Sequence, residues 1–181
     1  YERLRRQEHA ARLWPAARAY GGFIARLPFV RMVAVTGALA VSNVLPGADI
    51  DYLLVTQPGR LWLCRAMALA VGRAAARQGF RLCPNYLVSL HALRFPDHSL
   101  YAAHEVAQMV PLAGQDVYAE VRRQNEWVEV LLPNAGGPPP GTPASYQAIP
   151  QHLSRPLLEL VAGDFPFDRL ERWEQKRKIR K

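Results

Sequence analysis

Twelve residues after Gly37, at the head of the apolar run Tyr52-Leu53-Leu54-Val55, stands Asp49-Ile50-Asp51. In an extended strand, residues two apart share a face, so the two carboxylates project together while Ile50 turns into a core. Leu53-Leu54-Val55 would not follow an exposed turn, so the pair is tied to a buried strand predicted over Ile50 to Thr56. Carboxylates held side by side repel each other. A hard divalent cation, Mg²⁺ or Mn²⁺, relieves that repulsion by taking both as oxygen ligands. Asp49 and Asp51 are therefore the candidate metal ligands and the candidate catalytic pair.

The segment upstream adds what a metal alone would lack. Phe29 to Thr36 reads as a first strand, Thr36-Gly37 as the turn that ends it, and Ala38-Leu39-Ala40-Val41 as the start of a helix. Gly37 lets the backbone approach a ligand closely, and the unpaired amides at a helix start favour phosphate oxygens. Thr36, Gly37 and Ala38 are the phosphate-binding candidates. Ser42 and Asn43, between the two halves of the pattern, are placed to meet a sugar or phosphate, and Arg60 and Arg65 after the second strand are further phosphate candidates.

Thr36-Gly37-Ala38 followed by Asp49-Ile50-Asp51 resembles the signature of the DNA polymerase β-like nucleotidyltransferase superfamily, in particular its minimal bacterial and archaeal members. That signature is an apolar residue, Gly, then Gly or Ser, about a dozen residues, and Asp-x-Asp between apolar residues. Motif support covers residues 29 to 90. The resemblance implies a mixed α/β fold, with a small mixed sheet flanked by helices and extra helices at the C-terminus. It implies Mg²⁺ or Mn²⁺ on Asp49 and Asp51, an NTP as substrate, and transfer of a nucleoside monophosphate to a hydroxyl of RNA, protein or a small molecule.

The sequence departs from the pattern twice. Ala38 stands where the family carries Gly or Ser, and the strand predicted over Phe80 to Ser89 lacks the third carboxylate that the family often places on a later strand. Asn85 could ligate there but cannot act as a base; Asp97, Glu105 and Asp116 are the alternative acids. These departures support a second reading, a degenerate nucleotidyltransferase-fold protein that binds a partner or nucleic acid. A third makes it the antitoxin-like half of a two-protein system.

At 181 residues, half of them hydrophobic, the chain fills one core. It starts at Tyr1 without an initial Met, so a trimmed polypeptide is expected. The apolar stretches Met32 to Val41 and Leu61 to Ala76 are too short, or too interrupted by Arg65 and Arg73, to span a bilayer. A cytoplasmic protein without membrane contact is expected. Cys64 and Cys83 lack Cys-x-x-Cys spacing and lie in apolar segments, where reduced core thiols are the ordinary reading. Of the formal charge of +8, Lys176 to Lys181 carries +5, a basic tail that is ordinarily a solvated end and is also suited to RNA, an acidic partner or a membrane surface.

Residues 2 to 26 read as a basic amphipathic helix with Leu4, Ala11, Leu13, Phe23, Ile24 and Leu27 inward, and Pro15 and Gly21-Gly22 as breaks. Leu61 to Arg77 is a strong helix that crosses over to the third strand. Leu100 to Val110 and Asp116 to Val130 read as helices. Residues 133–153 form a Pro/Gly-rich linker between a domain over 1–132 and a helical segment over 154–181, with candidates at Arg155 to Val161 and Phe167 to Ile179, a surface for a protein partner. Glu105 and Gln108 share a helix face and could line a base or acceptor pocket. His104-Glu105-Val106-Ala107-Gln108 lacks the second His of a zinc-protease motif, and His91, His98 and His104 are too irregularly spaced to define a zinc site.

Overall fold

Alternation of apolar residues drives the central strands into a sheet covered on both faces. The computed structural model describes residues 1–135, 159 and 164–179. In chain order these are α1 (Glu2–Ala25), β1 (Val30–Val35), α2 (Gly37–Ala40), β2 (Ile50–Thr56), α3 (Leu61–Ala76), β3 (Leu82–Ser89), α4 (Leu100–Gln108), β4 (Val110–Ala113), α5 (Gln115–Gln124), α6 (Val128–Leu131) and α7 (Asp164–Ile179). The expected mixed α/β fold is present. Strand order is β3-β2-β1-β4, with β1 antiparallel to β2 and β4, and β2 parallel to β3 across the α3 crossover. The linker beyond residue 135, most of Arg155 to Val161 and the last two basic residues lie outside the described residues.

The period of two sorts the strands between two cores. Val33, Val35, Ile50, Tyr52 and Leu54 pack with α1, α2 and α3. Met32, Ala34, Leu53 and Val55 pack with α4, α5 and α6. On β3 a bulge changes the parity, because Tyr52 pairs with Pro84 while Leu53 pairs with Tyr86. Asn85 is the extra, exposed residue of that bulge and has no partner on β2.

Helix α1 runs unbroken through Pro15 and Gly21-Gly22. Its buried stripe is Ala10, Trp14, Ala17, Tyr20-Gly21 and Ile24, whereas Leu4 and Phe23 stay 61% and 59% exposed and Ala11 faces solvent. Close approach explains the correction: a Cβ on Gly21 would lie 2.1 Å from Leu112 Cδ1 on β4. The small residues form the inward face because they let the helix sit low on the sheet. The Tyr52 hydroxyl then donates to Ala17 O at 2.7 Å.

Two predicted helices end earlier than the sequence implied. Helix α4 is capped by Ser99, whose side chain accepts from Ala102 N, and stops at Met109, which is extended. Val110 belongs to β4, whose four residues are all buried and so show no alternation to read. Pro111 is tolerated because β4 is an edge strand. The second helix breaks at Asn125, whose buried side chain donates to Leu93 O and Val121 O and accepts from Phe95 N and Trp127 Nε1.

Helix α7 closes the opposite end of the sheet from Asp49 and Asp51. Glu171 accepts from Trp62 N and Leu63 N at 2.9 and 2.7 Å, capping the N-terminus of α3, and Asp168 accepts from Arg60 Nη1 at 2.6 Å. Glu159 takes Phe29 N and both terminal nitrogens of Arg31.

Candidate metal centre

The head of β2 meets three other segments on the sheet face that carries α4. Asp51 pairs with Cys83 in the parallel register, so the two side chains share a face on adjacent strands. Asp49 lies in the extended residues just before β2. Carboxylate oxygens of Asp49 and Asp51 and the Cys83 sulfur all lie within 4.8 Å of one another, each residue half-buried. Among the described residues this is the cluster of acids, His or Cys able to hold a metal ion.

Burial first, and then the charge of Asp49, raises the Asp51 carboxyl above its ordinary value, while a hydrogen bond from Cys83 pulls it down. The Cys83 thiol is raised by burial and by Asp51, which accepts its proton in that hydrogen bond. The salt bridge at the cluster, Arg81 to Asp49, is 4.0 Å long and exposed. Such a site has more negative charge than its neighbours neutralise, which fits a divalent cation.

Two buried groups on the same side add to this. Glu105 of α4 is 8% exposed and Thr36 is fully buried; the Thr36 hydroxyl acts on the Glu105 carboxyl, but Glu105 Oε2 and Thr36 Oγ1 reach no partner within ordinary hydrogen-bond geometry. Burial raises the Glu105 carboxyl, the neighbouring Thr36 hydroxyl lowers it, and the charge of Asp51 raises it again. A third carboxylate on this side of the sheet therefore sits on a helix and not on β3, near enough to feel the charge of Asp51 but outside the Asp49-Asp51-Cys83 cluster. Of the alternative acids, Asp97 is spent on Ser99, accepting from its N and Oγ, and Asp116 is exposed in the first turn of α5. Gln108 bonds His104 across one turn.

Gly37 is needed here on two counts. Its φ is +63°, and an added Cβ would stand 2.5 Å from Asp51 Oδ2. Thr36 N donates to Asp51 O at 3.0 Å, locking the turn to β2. Helix α2 is a single turn, so it offers first-turn amides with little macrodipole behind them. Ala38 is exposed, and its carbonyl accepts from Asn43 N at 2.8 Å. Ser42 takes a left-handed φ of 51°. Arg3 donates to Val41 O and Ser42 O, and Arg6 to Asn43 Oδ1, so these two α1 arginines brace the loop from behind.

A cleft of about 250 Å³ lies between α1 and the loop over 44–48, lined by His9, Arg12, Val44, Leu45, Phe80 and Arg81; neither Asp49 nor Asp51 lines it. Arg60 does not reach the centre: it lies past the far end of β2, paired with Asp168, roughly 15–20 Å from Asp51 at ~3.3 Å per strand residue. His98 stacks on Trp127 and His104 on α4 bonds Gln108, so the histidines form no zinc cluster among the described residues. Cys64 is the expected core thiol, pushed up to about 12 mainly by burial, but Cys83 is not. Its place beside Asp51 follows from the parallel crossover, the one signal in the sequence that could have located it.

None of the helices among the described residues is long and apolar enough to cross a membrane. No protein-family model matches the chain, and no relative is found among curated proteins. A crystal structure of a toxin-antitoxin with AMP-PNP is similar over 63% of this chain and 89% of that chain, at 13% identity and a TM-score of 0.37. That degree of likeness assigns neither family nor activity.

Proposed function

We propose that the protein is a metal-dependent nucleotidyltransferase that moves a nucleoside monophosphate from an NTP to an acceptor hydroxyl. The observation that carries this reading is the Asp49-Asp51 pair packed against the Gly37 turn, with the buried Glu105 carboxyl feeling the charge of Asp51. Asp49 and Asp51 would hold Mg²⁺ or Mn²⁺, which when bound neutralises the carboxylates and offsets charge on phosphoryl oxygens. Backbone amides of Gly37 and Ala38, with Thr36, Ser42 and Asn43 around them, position the phosphates. Glu105, unpartnered at Oε2 and raised above its ordinary value, takes the acceptor's hydroxyl proton. The acceptor oxygen then bonds to the α-phosphorus as the bond to the bridging oxygen breaks and pyrophosphate leaves. Arg12 and Arg81, in the cleft beside the loop over 44–48, suit an anionic acceptor such as RNA.

A second reading has its own support. Ala38 and the absence of an acid on β3 depart from the nucleotidyltransferase pattern, and α7 turns Glu171 and Glu174 inward while leaving Leu170 and Trp173 exposed, the inverse of a solvent-facing helix. A protein partner bound through the C-terminal helix, in an antitoxin-like arrangement without turnover, fits those features. The test is incubation with α-labelled ATP, GTP, CTP or UTP, Mg²⁺ or Mn²⁺, and RNA or protein acceptors, beside Asp49→Ala and Asp51→Ala. Label transfer that both substitutions abolish supports the enzyme. Wild-type protein that neither transfers label nor binds nucleotide in a metal-dependent way would remove it in favour of the binding reading.

A further inference from the structure

We propose that Cys83 makes the centre a mixed carboxylate-thiolate site, which takes a thiophilic divalent ion of the zinc class in preference to Mg²⁺. The inference rests on the metal reading of the Asp pair and adds the identity of the third donor. Three donors from the head of β2 and the head of β3 lie within 4.8 Å: two carboxylate oxygens and one sulfur. The register holds them there, because Cys83 is the β3 residue paired with Asp51.

Donor chemistry then decides selectivity. Mg²⁺ demands oxygen ligands and dehydrates reluctantly, so a thiolate contributes nothing to its binding. Zn²⁺ and Co²⁺ accept thiolate and carboxylate together, and three protein donors leave the fourth position of a tetrahedral site open. On binding, the metal replaces the thiol proton that now points to Asp51, forming a sulfur-metal bond and releasing the proton to solvent. Beside the cluster, the buried Glu105 carboxyl feels the charge of Asp51 and has only the neutral Thr36 hydroxyl and the charge of His104 to offset its own, so the surroundings add negative charge. Cys64 supplies the internal contrast. It is fully buried on the other face of the sheet, where its thiol donates to Pro28 O at 3.6 Å, and among the described residues it belongs to no group of acids, His or Cys able to hold a metal ion.

Titration of the full chain with Co²⁺ under reducing conditions tests this without nucleotide or turnover. A thiolate-to-cobalt charge-transfer band is expected in the wild type and in Cys64→Ser, and its absence is expected in Cys83→Ser. Competition by Zn²⁺ should weaken by more than about tenfold in Cys83→Ser, which alters a ligand itself and not its support. Circular dichroism verifies that each variant is folded. A folded wild type with no band, or a band that persists in Cys83→Ser, overturns the proposal. A Cys83-dependent band in protein that transfers no label leaves the thiolate site standing and removes the nucleotidyltransferase reading; transfer without the band does the reverse.

Discussion

A methyl group at Gly37 would meet Asp51 Oδ2 at 2.5 Å on a backbone with φ of +63°. Gly37→Ala is therefore expected to cost about 1–2 kcal/mol from the left-handed backbone alone. It should also displace the Asp51 carboxylate, so that divalent-ion affinity falls together with stability. Thermal unfolding beside a calorimetric metal titration reads both, and unchanged metal affinity would mean that Gly37 serves only the backbone. The raised carboxyls of Asp51 and Glu105 carry a pH signature. Each binds its proton more tightly folded than unfolded, so its contribution to stability is full at acid pH and is lost as pH rises through the raised value. Glu105→Gln should accordingly raise neutral-pH stability by about 0.5–2 kcal/mol while abolishing transfer, with the gain shrinking toward acid. Denaturant midpoints from roughly pH 4 to 7, the span where shifted carboxyls titrate, measure it. A gain that is flat with pH would argue against a buried charge as its cause.

Two helical glycines give opposite expectations because their elements pack at different distances. A Cβ at Gly21 in α1 would lie 2.1 Å from Leu112 Cδ1, so Gly21→Ala should destabilise by about 1–3 kcal/mol despite better helix propensity. At Gly72 in α3 the nearest atoms are Leu82 O at 3.6 Å and Leu82 Cβ at 3.7 Å, ordinary contacts, and Gly72→Ala should stabilise by about 0.5–1 kcal/mol. Thermal unfolding of the two variants side by side checks the pair; equal signs would contradict the close seating of α1. Spacing alone placed β2 at Ile50 to Thr56 and α3 within one residue of its end, because their patterns are long and regular. It placed Leu13, Ile24 and Leu27 of this region correctly against the core but misread Leu4, Ala11 and Phe23, which face solvent while Ala10, Trp14, Ala17, Tyr20 and Gly21 pack inward. It also missed β4, four residues without alternation.

Across the whole molecule, the two ends of the sheet do different work. The end built from Thr36, Gly37, Asp49, Asp51 and Cys83 gathers acids with little to pair them. The other end pairs its acids fully: Glu159 with Arg31, Asp168 with Arg60, and Glu171 with the first amides of α3. Glu171→Ala should cost about 1–2 kcal/mol by uncapping α3 and should leave divalent-ion affinity untouched, since the strand length separates the two ends. Urea unfolding with and without added metal tests this, and a parallel loss of metal affinity would show that the ends are coupled.

The sequence by itself determined the buried strand behind Asp49 and Asp51, the α3 helix and the glycine turn, because each is written in the period or residue types of one contiguous segment; the mixed sheet was implied only by the resemblance. Tertiary structure decided which groups complete the centre. Cys83 stands beside Asp51 through the register of a parallel pair closed by α3, and Glu105 comes near enough to feel its charge through the packing of α4 on the sheet. Local pattern fixes the face a side chain takes, but its neighbours on that face come from strands and helices tens of residues away. The Asp pair was thus legible in the chain and Glu105 stood among three candidate acids, whereas the choice among those acids and the place of the thiol were not.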